Sequence, residues 1–169
     1  MSGLRSIRLT LRTLITGILF CTFLTLSANA HLMVAQHGTM KLGKGGFFFV
    51  LSIPVSTFPG FDDDGDGFLS GIELSTHIKA IEKAIHTGFI LESNQEGPRK
   101  IEGLVLNLAH DQNHFQQPVS HIVALGRFTV DQEDRQLTLR TTLFGKKPHE
   151  QRFELTFPRG ERTEVVTLS

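Results

Sequence analysis

The sequence predicts a mainly β fold, an antiparallel β-sandwich of six or seven strands with one inserted acidic loop and a helix leaving it. Three observations carry this expectation. Short runs of alternating apolar residues recur from residue 32 to the end, separated by turn-forming clusters. Only one segment, at about 71–88, places apolar residues three and four apart. No internal repeat or low-complexity tract competes with this reading, and a chain of 169 residues is about one domain long.

The first elements form a β-hairpin. Residues 32–41 half alternate, Gly43-Lys44-Gly45-Gly46 supplies the turn, and Phe47, Phe48, Phe49, Val50 and Leu51 make a continuous apolar run. Apolar residues on both faces predict a central strand covered on both sides. Pro54 and Pro59-Gly60 stop it. Leu74, Ile78, Ile81, Ile85 and Phe89 then form one helical stripe, which ends near Gly88. Residues 92–100 read as a polar loop.

Period-two alternation returns in Leu104, Leu106 and Leu108, and again in Ile122, Ala124, Phe128 and Val130, with a kink expected at Gly126. Leu137, Leu139, Thr141 and Leu143 lead through Gly145-Lys146-Lys147-Pro148 into Phe153, Leu155 and Phe157, which predicts a second hairpin. Val166 and Leu168 close the chain as an edge strand.

The N-terminus follows a different logic. Arg5, Arg8 and Arg12 precede an apolar run from Leu14 to Leu26, and Ala28 and Ala30 occupy the small positions of a cleavage site. Residues 1–30 therefore read as a secretory signal peptide, with cleavage near Ala30-His31 and export to a periplasm or the exterior. The mature domain is then residues 31–169, with no second apolar run long enough to span a bilayer. Removing three arginines from 17 basic residues leaves 14 against 17 acidic, a balance of −3. No polybasic block remains, so nucleic acid is excluded as a partner. Cys21 leaves with the signal, so the domain carries no disulfide.

Residues 62–73 carry the chemistry. With Asp62 at position 1 of a twelve-residue loop, Asp64, Asp66, Gly67, Ser70 and Glu73 fall at positions 3, 5, 6, 9 and 12. Calcium takes six to eight oxygens, so alternate aspartates can wrap one side of it, and Gly67 permits the sharp turn. Phe68 offers its backbone carbonyl and Ser70 a bridging water. Glu73 offers two oxygens of one carboxylate, which favours calcium over magnesium. Leu69 is the apolar side chain expected to tuck beneath the loop. The two upstream prolines leave room for at most one helical turn before it.

This stretch resembles the EF-hand superfamily, which implies a calcium ion held by Asp62, Asp64, Asp66, Phe68, Ser70 and Glu73. More loosely, the order of signal peptide, strand pair, acidic loop, helix and later strands resembles the extracytoplasmic N-terminal region of bacterial HupE/UreJ-like membrane proteins. That likeness implies a link to metal transport.

The histidines supply the alternative. His31 would become a free N-terminal histidine able to chelate copper, but His37 lies about 20 Å further along an extended chain. His110, His114 and His121 could approach it only across a neighbouring strand, giving an exported copper or nickel carrier. His77 and His86 flank the helix stripe on opposite sides. No nucleophile elbow, zinc-protease helix or phosphate loop is present, so the expectation is a non-enzymatic binding module with an unidentified protein partner.

Overall fold

A computed structural model describes residues 36–109, 118–130, 136–160 and 162–169. The proposed signal peptide, His31, His110 and His114 lie outside the described residues. Among those described, nine strands and one long helix form two sheets. The mainly β class expected from the sequence is what the structure has.

The strands are β1 (Gln36–Gly43), β2 (Gly46–Pro54), β3 (Phe89–Ser93), β4 (Gly97–Pro98), β5 (Ile101–Leu108), β6 (His121–Thr129), β7 (Leu137–Thr141), β8 (Phe153–Arg159) and β9 (Arg162–Leu168), and the helix is α1 (Gly71–Gly88). The large sheet runs β5-β6-β2-β1-β8-β9 and the small one β4-β3-β7. Pairing is antiparallel except between β1 and β8, which run parallel from Gln36↔Phe153 to Thr39↔Thr156. The purely antiparallel expectation is corrected there, because period-two alternation carries no strand direction.

Alternation puts Met40, Phe49, Leu51, Ile53, Ile122, Ala124, Phe128, Phe153 and Leu155 on one face of the large sheet, where all are buried. The small sheet covers them with Phe89 and Leu91, and α1 covers them with Ile81 and Ile85. Phe89 lies 5.3 Å from Phe49, 5.6 Å from Phe128 and 6.3 Å from Phe153 between ring centroids. The chain has 14 phenylalanines and neither tyrosine nor tryptophan, so these buried rings need no hydrogen-bond partner. Each buried ring contributes about 1.5–3 kcal/mol of apolar burial.

Several expectations are corrected. β2 is central, but only one of its faces is covered: Phe48 and Val50 on the other are 46% and 45% exposed. Gly126 introduces no break in the pairing of β6 with β2, which is continuous from Gly46↔Thr129 to Pro54↔His121. It leaves room for the Phe49 ring, whose Cζ would lie 2.6 Å from an added Cβ. The irregularity sits in β5, as a bulge between Glu102 and Val105. The region read as a polar loop holds the end of β3 and all of β4, a short pair closed at Ser93↔Gly97. The strand count rises accordingly.

The predicted 137–157 hairpin does not form. β7 pairs with β3 in the small sheet, and β8 pairs with β1 and β9 in the large one. Residues 142–152 cross between the sheets through a single 3₁₀ turn, Pro148–Glu150. The crossing is fixed by buried contacts. Leu143 packs against Gly88, where a Cβ would lie 2.5 Å from Leu143 Cδ2, and the buried Glu150 carboxylate accepts a 2.5 Å hydrogen bond from Ser56 Oγ and a 3.0 Å one from Lys147 N–H.

Candidate metal centre

A 3₁₀ turn, Val55–Thr57, follows β2 and leads through Pro59-Gly60 into the acidic loop. No entering helix precedes the loop. Gly65 and Gly67 adopt φ of 75° and 85°, which only glycine reaches without strain, and they curl the chain around the carboxylates. The oxygens of Asp62, Asp64 and Asp66 come within 4.8 Å of one another. Oxygens that ligate one hard cation lie within about 5 Å of one another, so these three carboxylates have the spacing of a cation site, one that does not by itself select calcium and that does not include Glu73.

Backbone amides hold the aspartates in place. Asp62 Oδ1 accepts from Gly65 N–H at 2.8 Å and Asp66 N–H at 3.1 Å, while Oδ2 accepts from Gly67 N–H at 2.9 Å. Asp64 Oδ1 accepts from Asp66 N–H and Asp66 Oδ1 from Phe68 N–H, at 3.2 and 2.8 Å. The Asp66 amide lowers the Asp64 pKa, yet desolvation, the neighbouring charges of Asp66 and Glu73 and the contact with Asp62 together leave it raised.

Ser70 and Glu73 start the helix. Ser70 is the N-cap of α1, its Oγ accepting from Glu73 N–H at 3.3 Å. Glu73 Oε2 accepts from Ser70 N–H at 2.8 Å and Ser70 Oγ at 2.7 Å, completing a capping box. Its Oε1 reaches across the loop to accept from Asp63 N–H at 2.8 Å. These donors, the Ser70 amide first, pull the Glu73 pKa down to about 2. At 8% exposure the side chain is buried, and it bridges the two ends of the loop. Phe68 is exposed and Leu69 is buried beneath the loop.

Two contributors escaped sequence reasoning. Leu69 forms an isolated antiparallel bridge with Val119, and Ser120 O accepts a 2.9 Å hydrogen bond from Val55 N–H. The segment before β6 therefore holds the chain on both sides of the loop. No local signal marks Val119. The second contributor is His77, half-buried, whose Nε2 lies 2.9 and 3.0 Å from the Asp63 carboxylate oxygens and whose ring stacks on Phe61 at 5.1 Å. His77 follows Glu73 by four residues and so shares its helix face, which is the signal that could have found it.

Of the other histidines, His121 is half-buried and shares a 2.9 Å hydrogen bond with Ser120 Oγ, while His37 and His86 are exposed. Among the described residues no helix is long and apolar enough to cross a membrane. Neither models of known protein families nor curated proteins match the chain, so the geometry of the loop carries the functional reading.

Proposed function

We propose that this chain is an exported, non-enzymatic calcium-binding module in which one ion at residues 62–73 clasps α1 to the large sheet. The observation that carries the reading is the convergence of Asp62, Asp64 and Asp66 within 4.8 Å. The loop that carries them is tied at both ends by Val55–Ser120 and Leu69–Val119 backbone bonds. Asp62, Asp64, Asp66 and Glu73 supply carboxylates, Phe68 its carbonyl and Ser70 a water-mediated contact. Calcium supplies the positive charge that offsets the repulsion among them. Export rests on the basic, apolar and small-residue order of residues 1–30.

The role is structural. Sensor hands work by swinging two helices apart, and here a 3₁₀ turn stands where the first helix would be. The expected affinity is that of extracellular modules, about 10⁻⁴–10⁻³ M. Calorimetry with calcium, copper and nickel tests the proposal. One calcium site lost in Glu73→Gln supports it. Copper binding abolished by adding one residue before His31, with no calcium heat, would replace it by a transition-metal carrier.

A further inference from the structure

The two edges of the large sheet are treated differently. β5 is interrupted by the bulge between Glu102 and Val105, with Gly103 at φ 59°, a device that twists an edge away from further pairing. β9 carries no bulge, and its charges, Arg162 and Glu164, are confined to its first three residues. It pairs with β8 without a break from Arg159↔Arg162 to Phe153↔Leu168, and no described strand lies on its other side. Six of its seven residues are exposed, Val165 at 56% and Val166 at 37%. Its outer N–H and C=O groups form a regular, unbroken row, and Thr163, Val165, Val166 and Thr167 are all β-branched.

We infer that β9 is the docking edge for a second copy of this chain, in an antiparallel β9–β9′ junction whose two-fold axis passes between Val165 and its symmetry mate. The occupant follows from the side-chain order. Thr163, Val165 and Thr167 share the open face of the sheet and read the same in both directions, so the two-fold sets Val165 against Val165 and Thr163 against Thr167. A self-complementary patch is what an isologous interface needs. On the other face, Glu164 meets Val166 and Arg162 meets Leu168, so no like charges stand directly opposite. A shift of two residues one way sets Glu164 against Glu164. A shift the other way shortens the ladder to residues 164–168. A one-residue slip turns the two buried faces to opposite sides. The register centred on Val165 is the one that pairs all seven residues.

Sedimentation of the chain from micromolar to millimolar concentration, with Val165→Lys and Val165→Glu alongside, tests the junction. The expected result is a concentration-dependent dimer, weakened at least tenfold in each variant alone and restored in their equal mixture. In the wild type, the outer amides of β9 exchange slowly only where the dimer forms. A wild-type chain that stays monomeric with unprotected β9 amides overturns the inference. A dimer that both variants retain does so too, as does an edge protected only on adding a foreign β-branched peptide. If either variant fails to fold, exchange of the wild-type β9 amides decides alone.

Discussion

Leu69 and Val119 exchange both backbone hydrogen bonds, at N···O distances of 2.8 and 3.0 Å, and so pin the acidic loop to the segment that begins β6. Among the described residues the loop has no second acidic loop to lean on. Its apolar position 8 takes a strand-entry segment from the sheet as partner, which makes the geometry of the loop a property of the whole domain.

Val119→Pro removes the N–H that donates to Leu69 O, while Val119→Ala keeps both backbone bonds. The proline variant is expected to lose about 1–3 kcal/mol of stability and to bind calcium about tenfold more weakly, whereas the alanine variant keeps its calcium affinity within about twofold. Paired calorimetry and urea unfolding check this. Equal calcium affinities in the two variants would show that the bridge does not shape the loop.

Ser70→Ala removes the side-chain cap of α1 and one of the donors to Glu73. The loss is about 1 kcal/mol. Because Glu73 titrates near 2 in the fold against an ordinary value of 4.5, its contribution is complete above pH 4.5 and is lost as pH falls toward 2. Ser70→Ala should raise the folded value and narrow that window. A carboxyl NMR titration that finds Glu73 unmoved would contradict the assigned cause.

Glu150 gives the crossing segment its own acid dependence. Burial raises its pKa, but the Ser56 hydroxyl, the Lys147 amide and the charges of Lys147 and His149 outweigh it and leave the value lowered. Stability from this group is therefore full above its ordinary value of 4.5 and lost on acidification. Glu150→Gln should destabilise by about 1.5–3 kcal/mol at neutral pH and flatten the unfolding profile below that value. An unchanged acid limb would overturn this.

Gly46 and Gly45 separate two kinds of glycine. Gly46 has φ 147° and an added Cβ would lie 1.8 Å from Phe128 O, a backbone atom with no room to move, whereas Gly45 at φ 80° faces open space. Gly45→Ala should cost about 1 kcal/mol. Gly46→Ala should cost well over 3 kcal/mol or prevent folding. Comparable melting temperatures for the two would contradict the packing of β2 on β6.

What the sequence revealed was what is local. The acidic spacing, the Ile81–Ile85 stripe and the Gly43–Gly46 turn are all written within a few residues, and the loop, α1 and the first hairpin stand where those patterns put them. The order of strands was hidden because it depends on distant partners. β7 shows the same alternation whether it pairs with β8 or β3, and the contacts that set it beside β3, among them Leu143 against Gly88, Arg140 with Glu92 and Asn94 with Gln136, join residues far apart in sequence. β3 was hidden for a related reason. Phe89 continues the helical stripe by spacing, yet its backbone is already extended as the C-cap of α1. In the candidate site the acidic residues were legible, while Val119 was not, since a backbone bridge leaves no trace in side-chain identity.

Thermal unfolding of the chain in saturating calcium and in excess chelator tests the central claim most directly. Binding at about 100 times the dissociation constant stabilises by about 2.7 kcal/mol, so chelation should lower Tm by roughly 5–15 °C, and Glu73→Gln should abolish the difference. Superimposable curves for the wild-type chain in calcium and in chelator would contradict the calcium clasp.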